Sequence, residues 1–403
     1  MNPLLGKNFI FLITANCLAF CGWVFRNYLI NWYVLEKTNS TLMVGLFAAI
    51  PTFFVLFISP FGGQLADKFS RKKIFLTMRI FSMILFFLLA LFIHIELYPL
   101  LFIALCFSGI GITAGLEISA SRNLILDIVG FKYLTWGNSI TEFLNSFLST
   151  VGPLTIAVFF TSISDTRVFF TMPAAHFVSV ISALLLFLYF KENNSGYSED
   201  SDVDTKDKSI KEGIAYSYKS VNIRILLILT FTLLFWALSQ PLIPKIARDV
   251  LDSGSTGYAI LLSGEALGAI VGSIALPLFP KLFRNSKSIV FCISIYGIVL
   301  LFFALSKSII FSVFVLAIGG FFHVIWFTVI IILLQTIPDD NHKGRVIGLF
   351  FTFIQAYGLG YILGGLMGES IGIIPTLFIA AIIPVIIHLV CYGASREFRT
   401  LKS

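Results

Sequence analysis

The stretch Gly63-Gln64-Leu65-Ala66-Asp67-Lys68-Phe69-Ser70-Arg71-Lys72-Lys73 decides how this chain is organised. It joins two apolar runs, 41–66 and 74–94, and each run is long enough to cross a bilayer as a helix. A hairpin of membrane helices needs small residues where it packs, and Lys or Arg where it emerges on the cytoplasmic side. The stretch supplies both, so it predicts a tight cationic turn between two membrane helices.

The composition extends this prediction to the whole chain. Hydrophobic residues make up 58% of the 403 residues, charged residues make up 12%, and 44 residues are Phe. A soluble domain cannot bury that much apolar surface. Apolar runs of about twenty residues, enough to cross about 30 Å of hydrocarbon, recur along the chain. They predict an all-α integral membrane protein with twelve spans: 8–35, 41–66, 74–94, 99–126, 136–160, 168–190, 222–244, 256–279, 289–306, 309–335, 346–367 and 374–393.

Positive charge alternates between successive connections. Most of the 28 Lys and Arg residues fall in segments on the same side as the two termini, and the opposite loops hold only Lys37, Arg167, Lys245, Arg248 and Lys307. Because cytoplasmic loops carry the excess of Lys and Arg, both termini are predicted to be cytoplasmic. The net charge of +7 therefore reflects membrane topology, and no nucleic-acid partner is expected.

One long polar stretch, 191–217, interrupts the apolar pattern. It is rich in Asp, Ser, Lys and Asn, so it cannot build a core, and it predicts a mobile cytoplasmic linker. The stretch separates an N-terminal half, 1–190, from a C-terminal half, 218–403, with six predicted spans in each. A shift of about 215 residues aligns the halves, which is the pattern of two parallel repeats around a central site.

The loop motif also resembles that of a known family. The stretch 63–73 closely resembles the loop between helices 2 and 3 of the major facilitator superfamily, Gly-x-Leu-Ala-Asp-Arg/Lys-x-Gly-Arg/Lys-Arg/Lys, and departs from it only at Ser70. The segments 35–40, 211–213, 335–338 and 344–346 resemble the bacterial branch that contains macrolide efflux proteins and the enterobactin exporter. The resemblance implies a monomeric multi-pass protein of the bacterial inner membrane. It would export an amphipathic small molecule, a drug or a siderophore, by proton-coupled alternating access.

Other cargoes and directions stay open. The same fold serves siderophore importers, lipid flippases, uniporters and metal carriers, because a fold fixes neither direction nor cargo. An intramembrane enzyme is disfavoured, since the sequence has no Ser/His/Asp set, paired membrane Asp or His-Glu-x-x-His motif. The five Cys lie in apolar segments and suit packing, and midplane metal ligands are not clustered. We therefore expect no metal and no cofactor. The resemblance implies a proton gradient as the energy source, and lipid, protons and a small-molecule substrate as partners.

The resemblance gives the loop motif a gating role. Asp67 would contact the start of helix 11, next to Arg345, and lock the outward-facing state, while Asp127 at the end of helix 4 is a candidate partner for the motif's cations. A solvated positive loop is the plainer alternative. The gating candidates are Gly63, Asp67, Arg71, Lys72, Lys73, Asp127 and Arg345.

Charged residues inside the predicted spans are candidates for proton coupling. An ionised group costs a few kcal/mol or more in the membrane, and a carboxyl in a low-dielectric site favours its neutral form. We place Glu117 first. The alternative for each acid is a buried structural partner, for example Arg79 or Arg122. For these two arginines, extension to the cytoplasmic surface is the better explanation. The proton-coupling candidates are Glu117, Glu142, Glu265 and His323.

The superfamily lines its cavity with helices 1, 4, 7 and 10, which implies that Arg26 on helix 1 can face the substrate. Polar and aromatic residues of helices 7 and 11 are candidates for aromatic walls and amide contacts. His323 beside Trp326 is a candidate to relay protons or bind substrate, whereas His176 and His388 suit packing. Glycines on helix 8 predict close helix packing. The cavity candidates are Arg26, Trp236, Gln240, Trp326, Gln355, Tyr357 and Tyr361.

Overall fold

The computed structural model describes residues 4, 6–162, 166–191, 214–283 and 285–401, and these residues are almost entirely helical. Most of the predicted linker, 192–213, lies outside the described residues. Eleven described segments are long and apolar enough to cross a membrane. The segment 131–162 is helical at the place of the predicted fifth span. The prediction of an all-α integral membrane protein is confirmed.

The first six helices begin close to the predicted positions. A glycine, Gly130, with φ 70° and ψ 168°, joins the fourth helix directly to the fifth, a conformation that glycine adopts without steric cost. The helices are α1 (Lys7–Thr38), α2 (Thr41–Lys68), α3 (Arg71–His94), α4 (Pro99–Gly130), α5 (131–162) and α6 (Thr171–Tyr189, after a 3₁₀ turn at Thr166–Phe170).

In the C-terminal part, two helices are irregular. Pro241 and Pro244 remove backbone donors within the seventh helix, which changes there from α to short 3₁₀, α and π segments. The eleventh helix is divided at 355–356. The helices are α7 (Val221–Val250), α8 (Gly254–Leu278), α9 (Ser286–Leu305), α10 (Ile309–Thr336), α11 (Asp340–Ile354 and Tyr357–Ser370) and α12 (Ile373–Ala394), with short helices at Pro280–Phe283 and Arg396–Arg399.

The chain divides into two compact units. The first holds Met1–Lys37 and Phe47–Asp200, and the second holds Thr38–Leu46 and Ser201–Ser403. In the first unit, apolar side chains of α1, α3, α4 and α6 meet around Leu12, Phe75, Leu124 and Leu186. In the second unit, a larger core joins α7, α9, α10, α11 and α12, and Trp326 is among its fully buried side chains.

Glycines bring α8 and α10 into backbone contact, as the glycines of helix 8 predict. A Cβ on Gly268 would overlap the carbonyl oxygen of Ala317, and one on Gly320 would overlap the carbonyl oxygen of Glu265. Small residues permit this close approach of membrane helices. This contact places the backbone of Glu265 against Gly320 of α10. Gly320 lies one helical turn before His323 on the same helix.

Candidate functional site

Glu117, the first proton-coupling candidate, forms a buried ion pair with Arg79 in the first unit. Arg79 Nη2 on α3 lies 2.7 Å from Glu117 Oε1 on α4, and the two side chains are 9% and 11% exposed. The same nitrogen donates to Asn16 Oδ1 on α1 at 2.8 Å. Ser121 Oγ donates to that oxygen at 3.2 Å. Glu117 therefore has a fixed cationic partner inside a network that connects three helices.

The interpretation of Arg79 as a side chain that extends to the cytoplasmic surface is wrong. Its guanidinium carbon lies 4.9 Å from the ring centroid of Phe75, and the residue is buried. The pairing with Glu117 and Asn16 offers the guanidinium charge-assisted hydrogen bonds in the interior, so it has no need to reach water. The structural-partner alternative for Glu117 matches this geometry.

Arg26, the cavity candidate of α1, is also buried in the first unit. Its Nε and Nη2 donate to Asn27 Oδ1 at 3.1 and 2.7 Å. Its guanidinium carbon lies 5.0 Å from the ring centroid of Phe107 on α4 and 5.7 Å from that of Trp23. Aromatic rings stabilise a cation in a partly desolvated site. The substrate-facing role of Arg26 stays a prediction.

The cations of the loop motif tie α3 to neighbouring helix ends within the first unit. Arg71 Nη1 donates to both carboxylate oxygens of Asp127, at 2.8 and 2.9 Å, which is the partner that the sequence suggests. Lys72 Nζ donates to the carbonyl oxygen of Phe190 at 2.8 Å, just after α6. A cation at a helix C-terminus is favourable because the last carbonyl groups lack intrahelical partners.

The remaining gating candidates and the proton-coupling candidate Glu142 lie as follows. Lys73 is exposed, and Arg345 lies in the first segment of α11. The side chains of Asp67 and Glu142 lie outside the described residues. The close packing expected at Gly63 is made by its neighbour: a Cβ on Gly62 would overlap the carbonyl oxygen of Gly115, whereas the nearest atom to a Cβ on Gly63 is 3.8 Å away.

In the second unit, α7 supplies hydrogen bonds to a carboxyl group on α8. Trp236 Nε1 donates to Glu265 Oε1 at 3.0 Å, and the side chain of Gln240, one turn further along α7, also interacts with this carboxyl. The salt bridges among the described residues do not include Glu265. Glu265 therefore differs from Glu117, because its partners are neutral donors.

His323 lies at the centre of an aromatic cluster next to this carboxyl. Its ring is nearly parallel to that of Trp236, at 8° and 5.3 Å between centroids. The centroids of Tyr296 and Trp326 lie 5.4 and 5.6 Å away. The Nε2 atom of His323 is buried without a hydrogen-bond partner. Stacking therefore positions His323 against the indole that binds Glu265.

His388 on α12 is bonded at both ring nitrogens. Trp326 Nε1 donates to His388 Nε2 at 2.8 Å, and His388 Nδ1 lies 2.8 Å from the carbonyl oxygen of Pro384. Because Nε2 accepts, the ring carries its proton on Nδ1 and donates it to Pro384. The indole N–H of Trp326 is thus hydrogen-bonded within the second unit.

The remaining cavity candidates lie in or near the break between the two segments of α11. Gln355 Oε1 is buried without a hydrogen-bond partner. The rings of Tyr357 and Tyr361 pack edge to face at 5.4 Å between centroids. Asn16, Tyr296 and His388 belong to these networks and were not among the predicted site residues. Asn16 is a polar residue in an apolar span, a signal that could have found it.

This arrangement of membrane helices, with ionisable groups buried inside two compact units, defines a multi-pass membrane transporter. The chain belongs to the transmembrane secretion effector family, whose sequence model matches residues 1–398. It is 21% identical over 392 residues to the staphyloferrin A transporter of Staphylococcus aureus (strain NCTC 8325 / PS 47), with 96% of each chain covered. It is also 30% identical over 103 residues to a probable nitrate transporter of Staphylococcus haemolyticus (strain JCSC1435), covering 25% of this chain and 26% of that protein. The family and these relatives are transporters and not enzymes, which confirms that prediction.

Solved structures share the fold. The nucleoside transporter NupG is 13% identical with a TM-score of 0.76, covering 96% of this chain and 99% of that chain. A peptide-bound transporter of the POT family is 13% identical with a TM-score of 0.75, covering 97% and 96%. A bacterial homologue of the human lysosomal transporter Spinster is 14% identical with a TM-score of 0.72, covering 98% of both. The prediction of the major facilitator fold is confirmed.

Proposed function

We propose that this protein is a proton-coupled exporter of an amphipathic small molecule, a drug or a siderophore, which works by alternating access in a bacterial cell membrane. Membership of the secretion effector family supports export. The staphyloferrin A transporter, similar along 96% of both chains, supports a siderophore as one cargo class. The observation that carries proton coupling is the Glu265 carboxyl, bound by neutral donors.

Proton coupling requires a group that gains and loses a proton during the cycle. A carboxylate without a cation is costly in a low-dielectric interior, and a proton removes that cost. Trp236 Nε1 can donate to Glu265 in either protonation state, because a neutral carboxyl keeps an accepting oxygen. Glu265 is therefore the coupling residue that we propose.

Glu117, the first candidate from the sequence, is better suited to a structural role. A proton on Glu117 would leave the buried guanidinium of Arg79 without its counter-ion, and an uncompensated buried charge is strongly unfavourable. Glu142 stays a candidate, since its side chain lies outside the described residues. We propose that no bound cofactor takes part and that the proton gradient drives transport.

Flux in proteoliposomes with an imposed pH gradient tests this function. The panel contains siderophores, macrolides and lysolipids, and proton counterflow is recorded in parallel. We expect gradient-dependent flux of one class with the native protein and loss of the gradient dependence with Glu265→Gln. The matched control is Glu397→Gln, which makes the same change at an exposed position near the C-terminus.

The same assay separates the alternatives. Flux that ignores the pH gradient in the native protein would favour a facilitator or flippase. Movement of substrate together with protons would favour an importer. Retained gradient dependence in Glu265→Gln would remove Glu265 from the mechanism.

We further propose that the protein acts as a monomer and that both of its termini lie in the cytoplasm. The distribution of Lys and Arg supports this placement of the termini. A green fluorescent protein fused to the C-terminus reports a cytoplasmic end by its fluorescence, and alkaline phosphatase at the same position reports the opposite side by its activity. Phosphatase activity without fluorescence would reverse the proposed orientation.

A further inference from the structure

Two short helices and the start of α9 meet at one end of the second unit. The backbone N–H of Ser286, at the start of α9, donates to the carbonyl oxygen of Leu401 at 3.2 Å. Ser286 Oγ donates to the carbonyl oxygen of Arg399 at 3.3 Å, so the chain after α12 lies against α9. The short helix Pro280–Phe283 is joined to the same place by a hydrogen bond from Ser288 Oγ to its last carbonyl oxygen. The three elements therefore form one surface.

Each short helix has one buried phenylalanine. Phe398 is fully buried and Phe283 is 8% exposed, and both belong to the core of the second unit. A short helix that turns one side chain into the core presents the others outward. The exposed basic side chains of this surface, which we call the basic patch, are Lys281, Lys287, Arg396 and Arg399.

The positive charge of the basic patch is not balanced by ion pairs. The salt bridges among the described residues include none of its four cations. One exposed acid, Glu397, lies on the same helix as two of them, so positive charge remains in excess. In the first unit, by contrast, Arg71 and Arg79 each have a carboxylate partner. Four exposed cations in one place, without such partners, favour an anionic ligand.

Exposed apolar side chains border the basic patch. Leu278 and Phe279, at the end of α8, are 66% and 57% exposed, and Leu282, beside Lys281, is 64% exposed. The patch lies where the membrane spans α8 and α12 end and α9 begins. At the ends of membrane helices, apolar side chains meet acyl chains while Lys and Arg meet lipid headgroups. A surface of this composition fits a lipid bilayer better than a soluble acidic protein.

We propose that the basic patch binds the headgroups of anionic phospholipids in the surrounding bilayer. The four cations attract the charged headgroups, while Leu278, Phe279 and Leu282 lie among the acyl chains. Clusters of about four to eight Lys and Arg residues beside a membrane helix are typical of this recognition. The net charge of the headgroup distinguishes this ligand from zwitterionic lipid. The inference does not depend on the proposed transport function, because it concerns lipid binding alone.

Native mass spectrometry of the full-length protein tests this proposal. The protein is delipidated in detergent and titrated with phosphatidylglycerol or phosphatidylcholine of identical acyl chains. We expect preferential retention of phosphatidylglycerol by the native protein. Each cation near an anionic surface changes binding by about fivefold. Arg396→Gln/Arg399→Gln should therefore weaken phosphatidylglycerol binding by more than about tenfold, whereas Arg396→Lys/Arg399→Lys should preserve it.

A matched pair of single variants locates the effect. Lys287 and Lys307 are both exposed, the first at the start of α9 and the second in the loop after its end. Lys287→Gln should weaken phosphatidylglycerol binding about fivefold, and Lys307→Gln should leave it unchanged. Because these side chains are exposed, the melting temperature of each variant should stay close to that of the native protein.

Three results would overturn the proposal. Equal retention of the two lipids by the native protein would show that headgroup charge is not recognised. Equal effects of Lys287→Gln and Lys307→Gln would show that the basic patch is not the site. Tighter binding of a polyglutamate peptide than of phosphatidylglycerol would assign the patch to a soluble acidic partner.

Discussion

Among single residues, Glu117 and Glu265 differ in the charge of their partners. Arg79 holds Glu117 within an ion pair, whereas Trp236 holds Glu265 with a neutral N–H group. In a membrane interior, the pair of Glu117 and Arg79 is stable with both groups charged. Glu265, which has only neutral donors, is stabilised when its carboxylate takes up a proton. The surroundings, rather than depth in the membrane, therefore separate a structural acid from a coupling acid.

We expect Glu117→Gln to lower the free energy of unfolding by about 3–5 kcal/mol, because it leaves the buried guanidinium of Arg79 without a counter-ion. Thermal unfolding of the purified protein measures the change, with Glu397→Gln as the exposed control. Proton-driven flux of the folded fraction should persist.

The double variant Arg79→Met/Glu117→Leu sharpens this test. Since neither charge remains, most of the lost stability should return. If Glu117→Gln melted like the native protein and yet lost its proton dependence, Glu117 would regain the coupling role.

Two buried histidines provide a matched pair. His388→Phe leaves Trp326 Nε1 without its acceptor, so we expect a loss of about 1–3 kcal/mol in stability. His323→Phe keeps the stacking on Trp236 and removes an Nε2 that has no partner, so its loss should be smaller. Melting temperatures of the two variants decide the order, and the reverse order would contradict these assignments.

At the scale of helices, packing between α2 and α4 depends on one glycine of an adjacent pair. Gly62→Ala would place a Cβ against the carbonyl oxygen of Gly115, and overpacking of this kind costs about 1–3 kcal/mol. Gly63→Ala meets only an ordinary contact and replaces glycine inside a helix, which favours stability by roughly 0.5–1 kcal/mol. Thermal unfolding of both variants tests this, and equal effects would refute the register of α2 on α4.

The helices were predictable because the bilayer leaves the backbone few choices. Every polar backbone group must be satisfied internally, so apolar runs of sufficient length become helices. The direction in which each side chain points from its helix was harder to predict. Arg79 lies near a helix end in sequence, and only its rotation toward α4 brings it to Glu117. Similarly, the partners of Glu265 come from a different helix, α7, and the sequence of α8 does not show which neighbouring helix supplies them.

At the scale of the whole molecule, the gating role of Asp67 stays a prediction. By resemblance, Asp67 stabilises one of the two states between which a transporter alternates. We expect Asp67→Asn to slow turnover several-fold without weakening substrate binding, since one state loses stability while the site is unchanged. Steady-state flux and equilibrium binding measure the two quantities, with Asp252→Asn in an exposed turn as the control. A loss of binding would argue against a purely gating role.

The direct junction of α4 and α5 at Gly130 has a consequence for natural variation. Where a loop joins two helices, an inserted residue lengthens the loop and leaves both helices in place. Here an insertion would extend one helix and turn everything beyond it by about 100° around the helix axis. Related genes should therefore tolerate length changes in the polar stretch after α6 and exclude them at this junction.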